Sequence, residues 1–274
     1  MPPTRAQNLP PSPPVNGHPS VRRYSRIMLT LPTITWGDPT ADRRALLVHG
    51  LSSSAETWWR MGEALSADGW FITAVDLRGH GDAPLADDYS VAGYVSDLPR
   101  AAGGRAWDLV IGHSLGGAVA TVASAVPGFA ERLVLLDPAL YVPDSEWAGV
   151  RAEQLADLDY TAESLRASQP HWDDRDIAAK VRATARAGTA MIEGTLDDNH
   201  PWSVLPQLYE LTVPTLILTG DPAVYTMLPP ALVEPAVAAN AHLGYRAIPG
   251  AGHSPHREEW PATIAAIRDW LARP

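Results

Sequence analysis

The pentapeptide Gly112-His113-Ser114-Leu115-Gly116 sets a hydroxyl between two glycines. An apolar run at 107–111 leads into it and a helical run at 115–126 leads away. A serine on such a strand-to-helix turn has its Oγ lifted above the sheet edge and its backbone forced into strain. Side chains at the two glycine positions would strike neighbouring backbone. Gly117 and Ala118 keep the following helix face small, and the helix N-terminus aims N–H groups and its positive dipole end at the hydroxyl. The chemistry implied is nucleophilic attack, which needs a base within proton-transfer reach.

Nine histidines compete for that task. His18 lies in the N-terminal segment. His49, His80 and His113 sit inside turn motifs and read as hydrogen-bonded scaffolding. His171 and His200 fall in a long helical interval, and His242 near a helix end. His253 sits in Pro249-Gly250-Ala251-Gly252-His253-Ser254-Pro255, past the last apolar run and before the final helix. A glycine-rich loop there lets an imidazole swing over the nucleophile. His256 is the local competitor, and a zinc site built on His253 and His256 lacks a further ligand motif. With no cysteine, disulfides, thiolate nucleophiles and cysteine-based metal sites are excluded. No metal and no cofactor are expected.

A third group must hold the imidazole in one tautomer and stabilise its charged form. Asp221 follows the strand-like run 215–219, and Asp137 closes the run 133–136; Asp137-Pro138 could equally be a capped turn. Attack on a carbonyl puts charge on oxygen, and two backbone N–H groups would receive it: that of Leu115, after the nucleophile, and that of Leu51, after the run 45–49. Gly50 lets that loop turn tightly. Ser52 or Ser53 could add a hydroxyl, although loop solvation is the expected role.

The elements that must position these groups are legible as alternation. Short β-rich runs at 26–31 and 33–36 flank Pro32 and suggest an opening hairpin. Runs at 45–49, 71–76, 109–112, 133–136, 215–219 and 245–248 are rich in Val, Ile and Leu with little polar alternation, the pattern of strands buried on both faces of a parallel sheet. Helical stretches at 55–68, 91–102, 115–126, 231–241 and 262–271 lie between and after them. The expected fold class is α/β, a doubly wound, mostly parallel sheet. Between 136 and 215 no strand is evident, only helical segments at 145–155, 161–167 and 174–187, which read as an inserted helical cap. The expected organisation is a proline-rich disordered tail over 1–20, a core over 21–139, the cap over 140–212 and the remaining core over 213–274.

The chain resembles the α/β-hydrolase superfamily over residues 25–274. The resemblance rests on His49-Gly50, Asp76-Leu77-Arg78-Gly79-His80-Gly81, Gly112-His113-Ser114-Leu115-Gly116, Asp137-Pro138, Gly220-Asp221-Pro222 and Gly252-His253, in the superfamily's order. It implies a serine hydrolase with His253 as general base, acting on an ester or lactone through an acyl-enzyme. It favours Asp221 as the acid, because the chain order is then Ser–Asp–His. Two departures stand out. Asp221 follows Gly220 directly, so the acid's loop is short, and some relatives carry the acid where Asp137 stands. In Gly79-His80-Gly81-Asp82-Ala83, Ala83 replaces a serine, at the expense of a turn hydrogen bond. Epoxide hydrolases and haloalkane dehalogenases carry Asp at the elbow, so Ser114 argues against both. A C–C bond hydrolase of a diketone, a cofactor-free peroxidase-like activity and a hydrolase-fold ligand receptor remain alternatives.

Trp58, Trp59, Trp147, Trp172, Met191 and Trp202 are the candidate walls of a pocket for an apolar or aromatic small molecule, with core packing as the competing role. A formal net charge of −10 repels phosphate backbones, so no nucleic-acid partner is expected. No run approaches the length of a membrane span, and the N-terminal residues lack a signal-peptide apolar core, so a cytoplasmic protein without a membrane partner is expected. The cations are nearly all arginine; Lys180 is the only lysine, which reads as composition. Composition says nothing about oligomeric state.

Overall fold

The computed structural model describes residues 28–273. Seven strands form one sheet: β1 (Thr33–Trp36), β2 (Arg43–Val48), β3 (Trp70–Val75), β4 (Leu109–His113), β5 (Leu133–Leu136), β6 (Thr215–Thr219) and β7 (Leu243–Ala247). Their spatial order is β1-β3-β2-β4-β5-β6-β7, with only β1 antiparallel. The doubly wound, mostly parallel α/β architecture is as expected.

Alternation along each strand divides the apolar side chains between two faces. On β2, Leu46 and Val48 enter one core cluster, and Ala45 and Leu47 enter the other. On the first face lie α2 (Val91–Asp97) and α3 (Leu115–Ser124), represented by Tyr94, Val119 and Ala123. On the second lie α1 (Trp59–Ala67) and, at the chain's end, α10 (Trp260–Leu271), through Met61, Leu65, Ile264 and Ile267. Both faces are covered, which is why the strand runs lack polar alternation.

The interval between β5 and β6 carries four helices: α4 (Trp147–Ala156), α5 (Ala162–Ser168), α6 (Asp174–Arg186) and α7 (Thr189–Asp197). Three had sequence signals; α7 did not. Beyond β6 come α8 (Pro230–Ala239) and the single turn α9 (Pro255–Glu258). The reading of 1–20 as a disordered tail lies outside the described residues.

Two local expectations need correction. The opening hairpin does not form: residues 28–32 carry no strand, and β1 pairs with β3 instead, Thr33 opposite Val75. The helix expected to reach residue 102 ends at Asp97, because Pro99 disfavours helical geometry at Leu98.

The switch in strand order falls at β2, which lies between β3 and β4. Chain segments leaving β2 and β4 therefore diverge, and a crevice opens at their carboxyl ends. The turn after β3 is anchored there by a buried ion pair. Arg78 Nε donates to Asp97 Oδ2 at 2.7 Å, and both side chains are at most 4 % exposed. The other Asp97 oxygen accepts from Leu29 N–H. Removing the carboxylate leaves the buried guanidinium with the longer Asp88 ion pair, at 3.8 Å, and the Asp88 carbonyl. Asp97→Ala is expected to lower unfolding free energy by about 3–5 kcal/mol, read from urea melts.

Candidate active site

Four chain segments meet at the carboxyl edge of the sheet. The first is the elbow after β4. Ser114 adopts φ 52° and ψ −120°, a conformation side-chain-bearing residues rarely take. The flanking glycines make it possible: a Cβ on Gly112 would lie 2.4 Å from the Gly116 oxygen, and one on Gly116 would lie 2.2 Å from the Val48 oxygen. A side chain at Gly117 would likewise meet Pro138. The bend is thus wedged between β2 and the residue that follows Asp137.

The second and third segments bring an imidazole and a carboxylate. His253 Nε2 stands 3.0 Å from Ser114 Oγ, and its Nδ1 stands 2.6 Å from Asp137 Oδ2. Asp137 is wholly buried and itself has a positive φ of 38°. Its carboxylate also accepts from the Met227 N–H (3.0 Å), the Gly220 N–H (3.4 Å) and the Thr226 hydroxyl. The loop after β6 therefore supplies donors, and β5 supplies the carboxylate that meets His253.

Asp221 does not reach His253, which corrects the preference for it. Following Gly220 directly, it has no intervening turn to carry it over the site. Its carboxylate faces outward, accepting from the Gly250 and Ala223 N–H groups, and these hold its pKa below the usual value. Thr226 and Met227 carried no sequence signal; the shortness of the loop was the one available hint.

The fourth segment is the loop after β2. Leu51 and Leu115 both line the cavity, and among the described residues neither N–H meets an acceptor within the chain. Leu115 opens α3, where the first N–H groups have no helical partner. Ser52, the third non-glycine residue with positive φ (52°), is fully buried, and Ser53 nearly so. The expected solvation of these hydroxyls is thus wrong. Ser52 is gripped by Lys180 of α6: Nζ donates to Ser52 Oγ (2.8 Å), Ser52 O (3.1 Å) and Asp157 Oδ2 (3.0 Å). Sequence reasoning passed over Lys180, although its being the one lysine among arginines was a signal. This cluster ties the helical insertion to the Leu51 loop.

Of the other histidines, four form a neutral framework. His49 Nε2 accepts from Leu77 N–H (3.0 Å) while Nδ1–H donates to Gly50 O (2.8 Å). His113 Nε2–H donates to the His253 carbonyl at 2.9 Å, anchoring that loop. Burial pushes His49 down to about 4 and His80 down to about 3, and holds His113 and His256 well below the usual value. His256 stacks on Trp58 and meets His113 edge to face. Among the described residues, no group of three or more His, Cys, Asp or Glu side chains gathers for a metal.

A cavity of about 620 Å³ opens over Ser114 and His253, between the sheet edge and the helical insertion. Trp172 and Trp202 line it. Four other candidates do not. Trp58 is buried against His256. Trp59 donates to Asp176 and lies under the Arg60 and Arg175 guanidinium groups. Trp147 packs on His200, and Met191 is buried beneath Gly79, with Thr195. Aliphatic side chains, Val142, Val150, Leu165 and Leu196, take their place.

The alpha/beta hydrolase family matches residues 45–267. The chain belongs to the alpha/beta hydrolase family. Among curated relatives, it is 37% identical over 125 residues to the lipase LipV of Mycobacterium tuberculosis, covering 44% of this chain and 47% of that protein. The match thus spans about half the length of that relative. A second, the 2-succinyl-6-hydroxy-2,4-cyclohexadiene-1-carboxylate synthase of Serratia proteamaculans, is 29% identical over 85% of this chain and 95% of its own. The crystal structure of E-2-(acetamidomethylene)succinate hydrolase superposes with a TM-score of 0.76 at 22% identity, covering 92% of this chain and 98% of that one. Among the described residues, no helix is long and apolar enough to cross a membrane.

The neutral framework is expected to make the fold acid-sensitive. A histidine of pKa 6.5 when unfolded and far lower when folded binds its proton first in the unfolded chain. Its contribution is complete above pH 6.5 and is lost as pH falls toward the folded value, at up to about 1.4 kcal/mol per unit for each group. Urea midpoints should fall from pH 6.5 to 5, and His80→Asn should flatten that slope by about one histidine's share.

Proposed function

We propose that this protein is a serine hydrolase that cleaves a carboxylic ester or lactone of a small molecule through an acyl-enzyme. The observation that carries the reading is the unbroken line Asp137–His253–Ser114, at 2.6 and 3.0 Å, opening into the cavity. Ser114 Oγ attacks the substrate carbonyl as His253 Nε2 accepts its proton. The buried Asp137 carboxylate keeps the other imidazole proton on Nδ1 and stabilises the imidazolium. The Leu51 and Leu115 N–H groups receive the oxyanion, each contributing about 3 kcal/mol. Collapse expels the alcohol, which takes its proton from His253. Water, deprotonated by the same imidazole, then releases the acid and restores Ser114. The lipase relative and the apolar cavity wall support an ester substrate with an apolar portion.

A panel of activated esters, lactones and diketones tests this. Ester or lactone turnover should show an acyl-enzyme burst followed by a steady rate, and Ser114→Ala should lower kcat by about a millionfold. Diketone cleavage without ester turnover would overturn the reading. Asp137→Asn should lower kcat by about 10⁴-fold, through the wrong tautomer. Asp221→Asn should leave turnover near wild type; the reverse pattern would return the acid's role to Asp221.

A further inference from the structure

Two buried cations face the cavity, and the chain treats them differently. Lys180 is satisfied by three acceptors, the Asp157 carboxylate among them. Arg257, on α9 four residues beyond His253, is only 4 % exposed, yet no carboxylate of the described residues lies within 4 Å of its guanidinium. Its one hydrogen bond is a long contact, 3.4 Å, from Nη2 to Ser53 Oγ, and Nε has no partner. Two acidic groups lie around it, and neither makes an ion-pair contact with it. Glu258 gives one oxygen to Gly252 N–H and the other to Ser254 N–H. Asp176 gives one oxygen to Trp59, and its other oxygen is buried without a partner; it offsets the guanidinium charge only from beyond ion-pair distance and fills none of its donors. Burying a guanidinium with most of its five donors unmet is costly unless something supplies acceptors.

Beside it is a second unmet donor. Trp172 lies under the guanidinium, 4.7 Å from ring centroid to Cζ, and its indole Nε1–H is buried without a partner. Both residues line the cavity that holds Ser114 and His253. An unpaired planar fork with an indole donor alongside matches a carboxylate, which offers two oxygens in one plane. Three acidic residues share the cavity wall: Asp157 is paired with Lys180, Glu258 is held by two backbone N–H groups, and Glu153 is exposed and opposes an anion only through solvent-screened repulsion.

We propose that the substrate carries a free carboxylate, bound by Arg257 and Trp172, in addition to the ester or lactone cleaved at Ser114. The proposal rests on the hydrolase reading and narrows it to hemiesters of dicarboxylic acids and related anionic acyl compounds. Arg257 binds and orients; it takes no part in bond making.

The test compares monomethyl with dimethyl esters of succinate, glutarate and adipate. Wild type should favour a monoester in kcat/KM, and Arg257→Met should reduce the monoester-to-diester ratio by about 10- to 100-fold, mostly through KM. Arg257→Lys should recover part of it. A wild type that favours the diesters, or a ratio unchanged by Arg257→Met, overturns the proposal and leaves the hydrolase reading standing. Calorimetry with the free dicarboxylates on Ser114→Ala separates the converse case. Binding that disappears in Ser114→Ala/Arg257→Met upholds the anion site even if no ester is turned over. Absence of binding in Ser114→Ala, with no monoester preference, refutes it.

Discussion

A carboxylate with no exposure to water must have its charge met from within the chain, and at Asp137 four donors do so. Three come from the loop after β6 and the fourth is the His253 imidazole. The arrangement links three strand ends that are far apart in sequence. It holds the imidazole with Nε2 toward Ser114. It also explains why the loop after β6 has its observed course: 220–227 wraps beneath the carboxylate instead of projecting an acid of its own over the site.

Strain is concentrated at the same place. Among the described residues, three non-glycine residues have positive φ: Ser52, Ser114 and Asp137, one at each of three adjacent strand ends. Such conformations persist only where surrounding contacts over-determine them. Here those contacts are the glycine approaches around Ser114, the Lys180–Asp157 grip on Ser52 and the four donors on Asp137. The buried neutral histidines reinforce the frame: His49 and His113 each bond to a loop that borders the cavity. Their neutrality matters, since an additional positive charge beneath His253 would oppose formation of an imidazolium there.

The helical insertion does more than roof the cavity. Through Lys180 it reaches the backbone next to Leu51, so the disposition of the proposed oxyanion donor depends on a residue more than a hundred positions away. Through Trp172 it faces Arg257, which comes from the opposite wall. Cavity chemistry is thus assembled from both the sheet edge and the insertion. It holds fewer tryptophans than the sequence suggested, because Trp58, Trp59 and Trp147 find packing partners elsewhere, while Tyr160 and Tyr225 join Trp172 and Trp202 on its wall.

The sequence by itself determined the strand alternation, the elbow at Ser114 with its glycines, the histidine-bearing loop and the helical interval after 136. All of these rest on local sterics and on burial patterns that a linear chain displays directly. Which aspartate meets His253 was settled only by tertiary structure. Asp137 and Asp221 end neighbouring strands, and the choice depends on whether the loop after β6 is long enough to carry its acid inward, a matter of loop path that residue types do not encode. The same holds for β1, whose edge pairing with β3 needed a partner distant in sequence, and for α7, which has no cap signal of its own. It holds too for Lys180 and Arg257: a cation's meaning lies in which acceptors surround it, and packing alone decides that one is satisfied and the other left open to the cavity.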